Sequence, residues 1–245
     1  MLAEAMARTG QMLLRGIPPN GNAYWANRFW DRDAAERHPD LNAEFEHQKS
    51  TISEYFKKYA QDAETAVEFA CGTGEFTRLT AELTKVSSIT ALDISEQGLE
   101  RTRQKVRHDD LTLIKGDFWA DHGLARSDLV VCVDAIHHLG DVKDVLKRLR
   151  SFVKPGGVFI GNALILDRFH EFERCRYGTV GHFNRTAQFL ATAVMVRASG
   201  GRLNTGAYRT QLRTSKDIRG LLDDIFPEVL DVSVDPYFMA FACRV

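Results

Sequence analysis

The spacing of apolar positions along this chain changes in a regular way. Short runs of Val, Ile, Leu and Phe end at an acid or a glycine. A longer stretch then follows in which apolar residues recur at intervals of three and four. The run Val67-Glu68-Phe69-Ala70-Cys71-Gly72-Thr73-Gly74 is apolar, reaches an acid and breaks into two glycines one residue apart. Phe76, Leu79, Thr80 and Leu83 then share one helical face. The pattern predicts a buried strand, a tight glycine turn and a helix. Ser88 to Asp93 predicts a second strand ending in acid, with a helix over Glu96 to Arg107. Leu111 to Lys115 predicts a third, closed by Gly116-Asp117-Phe118-Trp119. Asp128 to Val133 predicts a fourth, ending at Asp134-Ala135-Ile136-His137-His138. A helix over Val142 to Val153 runs into Lys154-Pro155-Gly156-Gly157, and Val158 to Leu166 predicts a fifth strand.

Five strands alternating with helical patterns imply a parallel, doubly wound α/β sheet with helices on both faces. Ligands of such sheets bind outside the carboxyl ends of the strands, and the motifs are expected at those ends. Val229 to Val234 and Phe238 to Val245 predict two last strands, an antiparallel hairpin that brings the sheet to seven. Ser215 is expected to cap a helix through Phe226.

Two regions stand outside this repeat. Met1 to Ile17 carries an apolar stripe of Leu2, Met6, Leu13 and Ile17, stopped by Gly16, Pro18 and Pro19. Such a helix needs a surface to bury against, on its own domain or on a neighbouring subunit. An aromatic cluster of Tyr24, Trp25, Phe29 and Trp30 follows, expected as helix packing or as a flap over a ligand. Asn42 to Ala60 predicts a strong helix. The segment 167–213 is long, arginine-rich and aromatic, with one clear helix near Asn184 to Ala198. The expected organisation is an N-terminal helical extension and flap over residues 1–60, then one α/β domain over 61–245 with the 167–213 insert after its fifth strand.

Composition narrows the class. The hydrophobic share of 44% and charged share of 27% over 245 residues are those of a soluble globular protein. No apolar run is long enough to span a membrane, and no secretory leader is recognisable. Cys71, Cys132, Cys175 and Cys243 form no CxxC and read as reduced thiols of a cytoplasmic protein. A net charge of −1 argues against bulk nucleic-acid affinity. Between Arg168 and Arg219, however, nine arginines and one lysine face three acids, which puts +7 there and −8 on the rest.

The glycine run supplies the chemistry. A dinucleotide fingerprint wants a third glycine, and Thr77 stands in its place. Glu68 would also repel a pyrophosphate, and it suits a cationic or zwitterionic ligand with an amino group. The run Glu68-Phe-Ala-Cys-Gly72-Thr-Gly74 resembles the glycine motif of class I S-adenosylmethionine-dependent methyltransferases. Asp93, Gly116-Asp117-Phe118, Asp134-Ala-Ile-His-His138 and Lys154-Pro-Gly-Gly157 resemble that family's later landmarks in order, over roughly Thr65 to Leu166.

The resemblance implies S-adenosylmethionine as cofactor. Glu68 would hold the methionine amino group directly or through water. Ala70, Gly72 and Gly74 would let backbone approach the cofactor. Asp93 would take the ribose hydroxyls, Ile94 and Phe118 would flank adenine, Asp117 would accept from its amino group, and Asp134 would line the methionine end. Glu at 68 and Ala at 70 depart from the common Asp and Gly. His138, with His137, is the candidate catalytic base or pocket-shaping group. Tyr24, Trp25, His138, His170, Tyr177 and His182 are candidates for the acceptor pocket. His170-Glu171-Phe172-Glu173 matches no helical ligand motif, so no metal is expected.

Asp235-Pro236-Tyr237-Phe238 is misplaced for the motif of base-modifying amino methyltransferases. The expected activity is methyl transfer to a small, apolar or aromatic acceptor, as in natural-product tailoring. Two alternatives stay open: an RNA or protein methyltransferase using the arginine segment, and a non-catalytic cofactor-binding partner. A homo-oligomer through the N-terminal helix is a further expectation.

Overall fold

The structure, a computed structural model, describes residues 2–17, 24–26, 28, 39–203 and 212–245. Phe29 and Trp30 of the aromatic cluster lie outside the described residues. The chain runs α1 (Leu2–Leu13), α2 (Pro39–Tyr59), β1 (Thr65–Phe69), α3 (Glu75–Leu83), β2 (Ser88–Asp93), α4 (Glu96–Lys105) and β3 (Leu111–Lys115). It continues with β4 (Ser127–Cys132), α5 (Ile136–Leu139), α6 (Val142–Ser151), β5 (Val153–Leu164), α7 (Phe169–Ala198), α8 (Ser215–Ile225), β6 (Glu228–Val234) and β7 (Phe238–Arg244).

The strands form one seven-stranded sheet in the order β3-β2-β1-β4-β5-β7-β6. The first five are parallel, and β7 runs antiparallel between β5 and β6. The winding reverses between β1 and β4, which opens a crevice at their carboxyl ends. Strand alternation sorts side chains to the two faces. Val67 and Phe69 join the core beneath α6 and α8, with Val145, Leu149 and Leu222. Ala66 joins the core beneath α2 and α3, with Ile52, Phe56, Phe76 and Leu79. Burial on both faces explains why these strands read as continuous apolar runs.

Three elements differ from the sequence reading. Lys154-Pro155-Gly156-Gly157 lies within β5 at the amino end of the sheet, not at a ligand-binding end. Lys154 Nζ contacts the Asp128 carboxylate at 2.9 and 3.0 Å, and a Cβ on Gly157 would stand 2.8 Å from the Asp128 carbonyl oxygen. This landmark therefore pins β5 to β4 and serves the fold.

The α7 helix spans 30 residues, well beyond the predicted stretch, and is broken at Gly178 (φ 71°, ψ 167°). Its first half carries apolar and charged residues on several faces because it touches both core and cavity, and that mixture hides the helical period. The cap of α8 is Thr214, whose side chain accepts from the Asp217 N–H. Ser215 instead bonds Asp167.

Finally, α1 packs on α7 of its own chain. Leu14 meets Ala193 and Val196, and Arg197 donates to the main-chain oxygens of Leu13 and Arg15, satisfying carbonyls at the helix end. One of the two surfaces expected for this helix is thus present within its own chain.

Gly10 makes this docking close: a Cβ there would stand 2.5 Å from the Phe189 ring. Gly10→Leu should destabilise the chain by about 1–3 kcal/mol, the scale of an overpacked contact. Thermal unfolding reads this, and an unchanged transition would show that α1 is not held this way.

Candidate functional site

The glycine turn is held by α4. Asp93 at the end of β2 accepts from the Gly72 N–H (2.8 Å) through one carboxylate oxygen and from the Ser95 N–H (2.8 Å) through the other. Thr102 Oγ1 lies 3.1 Å from the Gly72 carbonyl oxygen, to which it donates. A Cβ on Gly98 would stand 2.7 Å from that same oxygen, so only glycine lets α4 come this close. The two motif glycines do different work. A Cβ on Gly74 would stand 2.7 Å from Thr102, so Gly74 serves helix packing. Gly72 has φ 56°, and a Cβ there would meet nothing within 4 Å and would protrude into open cavity.

That cavity, of about 810 Å³, lies at the carboxyl ends of the strands. Asp93, Ile94, Asp117, Phe118 and Trp119 line one part of it, beside Ala70 and Gly72. Burial pushes the Asp93 carboxyl up, against the opposing pull of its backbone hydrogen bonds. Asp117 accepts from the Trp119 N–H (2.9 Å), and Phe118 packs edge-on against Phe69. Ala70 (φ 56°) and Asp134 (φ 57°) are left-handed without being glycine, at the ends of β1 and β4. Strained backbone of this kind persists only where the surroundings enforce it.

For Asp134 the enforcing partners are visible. Its N–H donates to Asn162 Oδ1 (2.7 Å), and its carboxylate accepts from Gln48 Nε2 (2.9 Å). Gln48 and Asn162 are fully buried. Sequence reasoning missed both: Asn162 is a polar residue in an apolar stretch, which was the available signal, whereas Gln48 stands among polar neighbours and carries none.

His137 is buried, and its Nδ1 accepts from the Leu164 N–H (3.2 Å), so the neutral ring carries its proton on Nε2. Burial pushes its pKa down to about 4. His138 lies on the cavity wall, 5.4 Å from the Trp25 ring and 3.9 Å from the His137 ring. Desolvation, then the neighbouring His137 and Arg176, hold its pKa well below the ordinary histidine range. Both imidazoles are therefore neutral near pH 7.

Helices build the remaining wall. Tyr24, Trp25 and Arg28 contribute from the N-terminal segment. Phe45 comes from α2, and Phe172, Glu173, Arg176, Tyr177 and Arg185 come from α7. Arg185 lies 4.0 Å from the centre of the Tyr177 ring and 3.7 Å from the Glu173 carboxylate.

The structure thus brings Ala70, Gly72, Asp93, Ile94, Asp117, Phe118, Asp134, His137, His138, Tyr24, Trp25 and Tyr177 to one cavity. It leaves four predicted residues off its wall. Gly74 packs on Thr102, as above. Glu68 points to the α3 face of the sheet, where it accepts from Thr77 Oγ1. His170 and His182 contact each other at 3.1 Å, and His170 borders a separate cavity of about 310 Å³. Among the described residues no group of three or more His, Cys, Asp or Glu is placed to hold a metal. No helix of the described residues is long and apolar enough to cross a membrane.

Comparison with known proteins gives the class. Residues 67–159 match the family model for a methyltransferase domain. A malonyl-[acyl-carrier protein] O-methyltransferase of Priestia megaterium is 28% identical over 109 residues, 44% of this chain and 40% of that protein. The matched stretch covers between 38% and 59% of the curated relatives' own lengths. Among solved structures, the complex of a methyltransferase with an activator from Haloferax volcanii superposes with a TM-score of 0.60 at 15% identity, covering 91% of this chain and 96% of that one. The magnesium protoporphyrin IX methyltransferase of Synechocystis, solved with S-adenosylhomocysteine, gives 0.55 at 15% identity, covering 82% and 84%. Residues 67–159 thus match a methyltransferase domain, and the chain shares the fold of solved methyltransferases, one of them bound to S-adenosylhomocysteine.

Glu68 gives this site a pH signature. Burial, with Asp93 and Glu75 nearby and the Thr77 hydrogen bond opposing, pushes its pKa from 4.5 to about 8. Between those values the folded chain holds a proton that the unfolded chain releases. The stability from this group is complete below pH 4.5 and is lost as pH rises through 8. Glu68→Gln should therefore gain on the parent between pH 5 and pH 9, by up to about 4–5 kcal/mol. Denaturant unfolding of both proteins across that range checks this, and a difference that does not change with pH would contradict it.

Proposed function

We propose that the chain transfers a methyl group from S-adenosylmethionine to a small acceptor with an apolar, ring-bearing body, in the manner of natural-product tailoring enzymes. The supporting observation is the Asp93 carboxylate, fixed on the cavity wall by two backbone N–H groups beside an open glycine. Each carboxylate oxygen has accepted one of these bonds and retains a lone pair, which suits a vicinal diol such as the ribose hydroxyls. The space at Gly72 admits a ligand to van der Waals contact with backbone. On this reading Ile94 and Phe118 flank adenine, Asp117 accepts from its amino group, and Ala70 and Asp134 border the methionine end. Glu68 stands off the wall, and of its two expected roles we assign it the water-mediated one.

When bound, the cofactor supplies an activated sulfonium methyl suited to in-line displacement. The chain's own contribution is orientation and exclusion of water. Trp25, Tyr177 and the phenylalanines of α2 and α7 form an apolar surround for the acceptor. His138 is neutral and so can accept a proton, but with a depressed pKa it is a weak base. Orientation therefore carries most of the gain. Residues 61–245 form the working unit, and the 1–60 extension lends it Tyr24, Trp25 and Gln48.

The arginine segment gives little support to an RNA or protein acceptor. Arg168, Arg185, Arg213 and Arg219 each lie within ion-pair distance of an acid of this chain, and Arg197 is spent on the carbonyls after α1. Cys71, Cys132, Cys175 and Cys243 are free thiols, three of them buried, in keeping with a cytoplasmic setting.

The test is incubation with methyl-tritiated S-adenosylmethionine and a cell extract. Label should enter solvent-extractable small molecules, and label confined to acid-precipitated macromolecules would overturn the reading. Asp93→Ala should weaken affinity for S-adenosylhomocysteine by about 1.5–3 kcal/mol, the scale of hydrogen bonds to a charged group. Unchanged affinity would remove Asp93 from the ribose role.

A further inference from the structure

The loop after β3 carries Asp117 and Phe118, yet residues 116–126 contain no helix or strand. Without a repeating ladder of its own, the loop takes its shape from its ties to neighbouring elements. Two ties run to the segment after β4. In the first, Trp119 Nε1 donates to the Leu139 carbonyl oxygen (2.7 Å). The second is Arg148 on α6. Its Nε donates to the Phe118 carbonyl oxygen (2.8 Å), and one Nη donates to that of Ala120 (2.7 Å). The guanidinium also lies 5.5, 5.7 and 5.4 Å from the centres of the Phe118, Trp119 and Phe152 rings, within reach of cation–π attraction.

Arg148 stands outside the described lining of the cavity. Its effect there passes through one peptide group. The Phe118 carbonyl and the Trp119 N–H belong to the same planar unit and point in opposite directions. Arg148 holds the carbonyl end, and the N–H end donates to Asp117 Oδ1 (2.9 Å). Turning that plane would carry this donor away from the Asp117 carboxylate. The Ala120 N–H donates back to the Asp117 carbonyl oxygen (3.0 Å), which closes a turn over residues 117–120. The second carbonyl that Arg148 holds stands at the far end of this turn. A planar fork has donors in fixed directions and can set both carbonyls at once, which an ammonium on a flexible stem does less well.

Resting on the methyl-transfer reading, in which Asp117 accepts from the adenine amino group, we propose that Arg148 is the positioning residue of the base-binding loop. Through the 118–119 peptide it aims the Asp117 carboxylate, and so sets the discrimination between an amino and an oxo group on the purine.

The test uses the full chain with S-adenosylhomocysteine and S-inosylhomocysteine, which carries an oxo group in place of the amino group. The first is titrated by calorimetry, and the second is read by its displacement of the first. The parent should prefer the adenosyl ligand by at least about tenfold, the scale of a lost hydrogen bond to a charged group. Arg148→Met removes the fork, and the preference should fall below about threefold. Arg148→Lys keeps the charge without the fork, and the preference should fall by at least about threefold. Thermal unfolding checks that each variant folds. A merely structural role would weaken both ligands alike and leave the preference where it was. No preference in the parent, or a parental preference in Arg148→Met, would overturn the proposal. Should Arg148→Met not unfold cooperatively, an undiminished preference in Arg148→Lys would overturn it. Failure of the parent to bind S-adenosylhomocysteine would instead strike the methyl-transfer reading.

Discussion

One carboxylate ties the site together. Asp93 reaches from the end of β2 to the Gly72 N–H in the turn after β1 and to the Ser95 N–H at the start of α4. Those two bonds fix the turn in its left-handed course and set α4 against it. Gly98 and Thr102 then close on the Gly72 carbonyl. Without this link the turn would lack its charged anchor, and the open space at Gly72 would have no defined wall. Burial raises the cost of the Asp93 charge, and the backbone N–H groups of Ser95, Gly72 and Ile94 offset part of that cost. The site is thus held in place by backbone groups.

A second anchor stands at the other side of the switch point. Asp134 is held in a left-handed conformation by Asn162 on β5 and Gln48 on α2. Two of the described non-glycine residues with positive φ, Ala70 and Asp134, therefore flank the crevice at the ends of adjacent strands β1 and β4. Strain gathers where the strand order reverses, which is where a doubly wound sheet places its ligand. Because Gln48 belongs to α2, the N-terminal extension is part of the site's framework as well as a covering for the sheet.

The sheet is legible in the sequence because its strands are buried on both faces. A run such as Leu129-Val130-Val131-Cys132, fully buried along its length, leaves little alternative to a parallel core strand. Asp93, Asp117 and the glycines are legible because acids and glycines at strand ends are costly unless used. What stays hidden depends on distance in the sequence. Gln48 meets Asp134 across 86 residues, and nothing local marks either as the other's partner. Spacing cannot tell a glycine that faces a ligand from one that faces a helix, and the close approach of Gly74 to Thr102 is hidden for that reason. The first half of α7 is hidden because a helix that serves core, cavity and solvent at once has no single apolar stripe. Lys154-Pro155-Gly156-Gly157 resembles a site landmark in sequence and proves to be a clamp at the far end of the sheet.

The central claim is that the Asp93–Gly72 turn is built for an adenosyl ligand with a cationic tail, and not for a dinucleotide. The measurement that tests it most directly is calorimetric titration of the full chain with S-adenosylhomocysteine, with NAD as the control. The account predicts roughly micromolar affinity for the first and no heat of binding for the second. Binding of NAD in place of S-adenosylhomocysteine, or of neither, would contradict it.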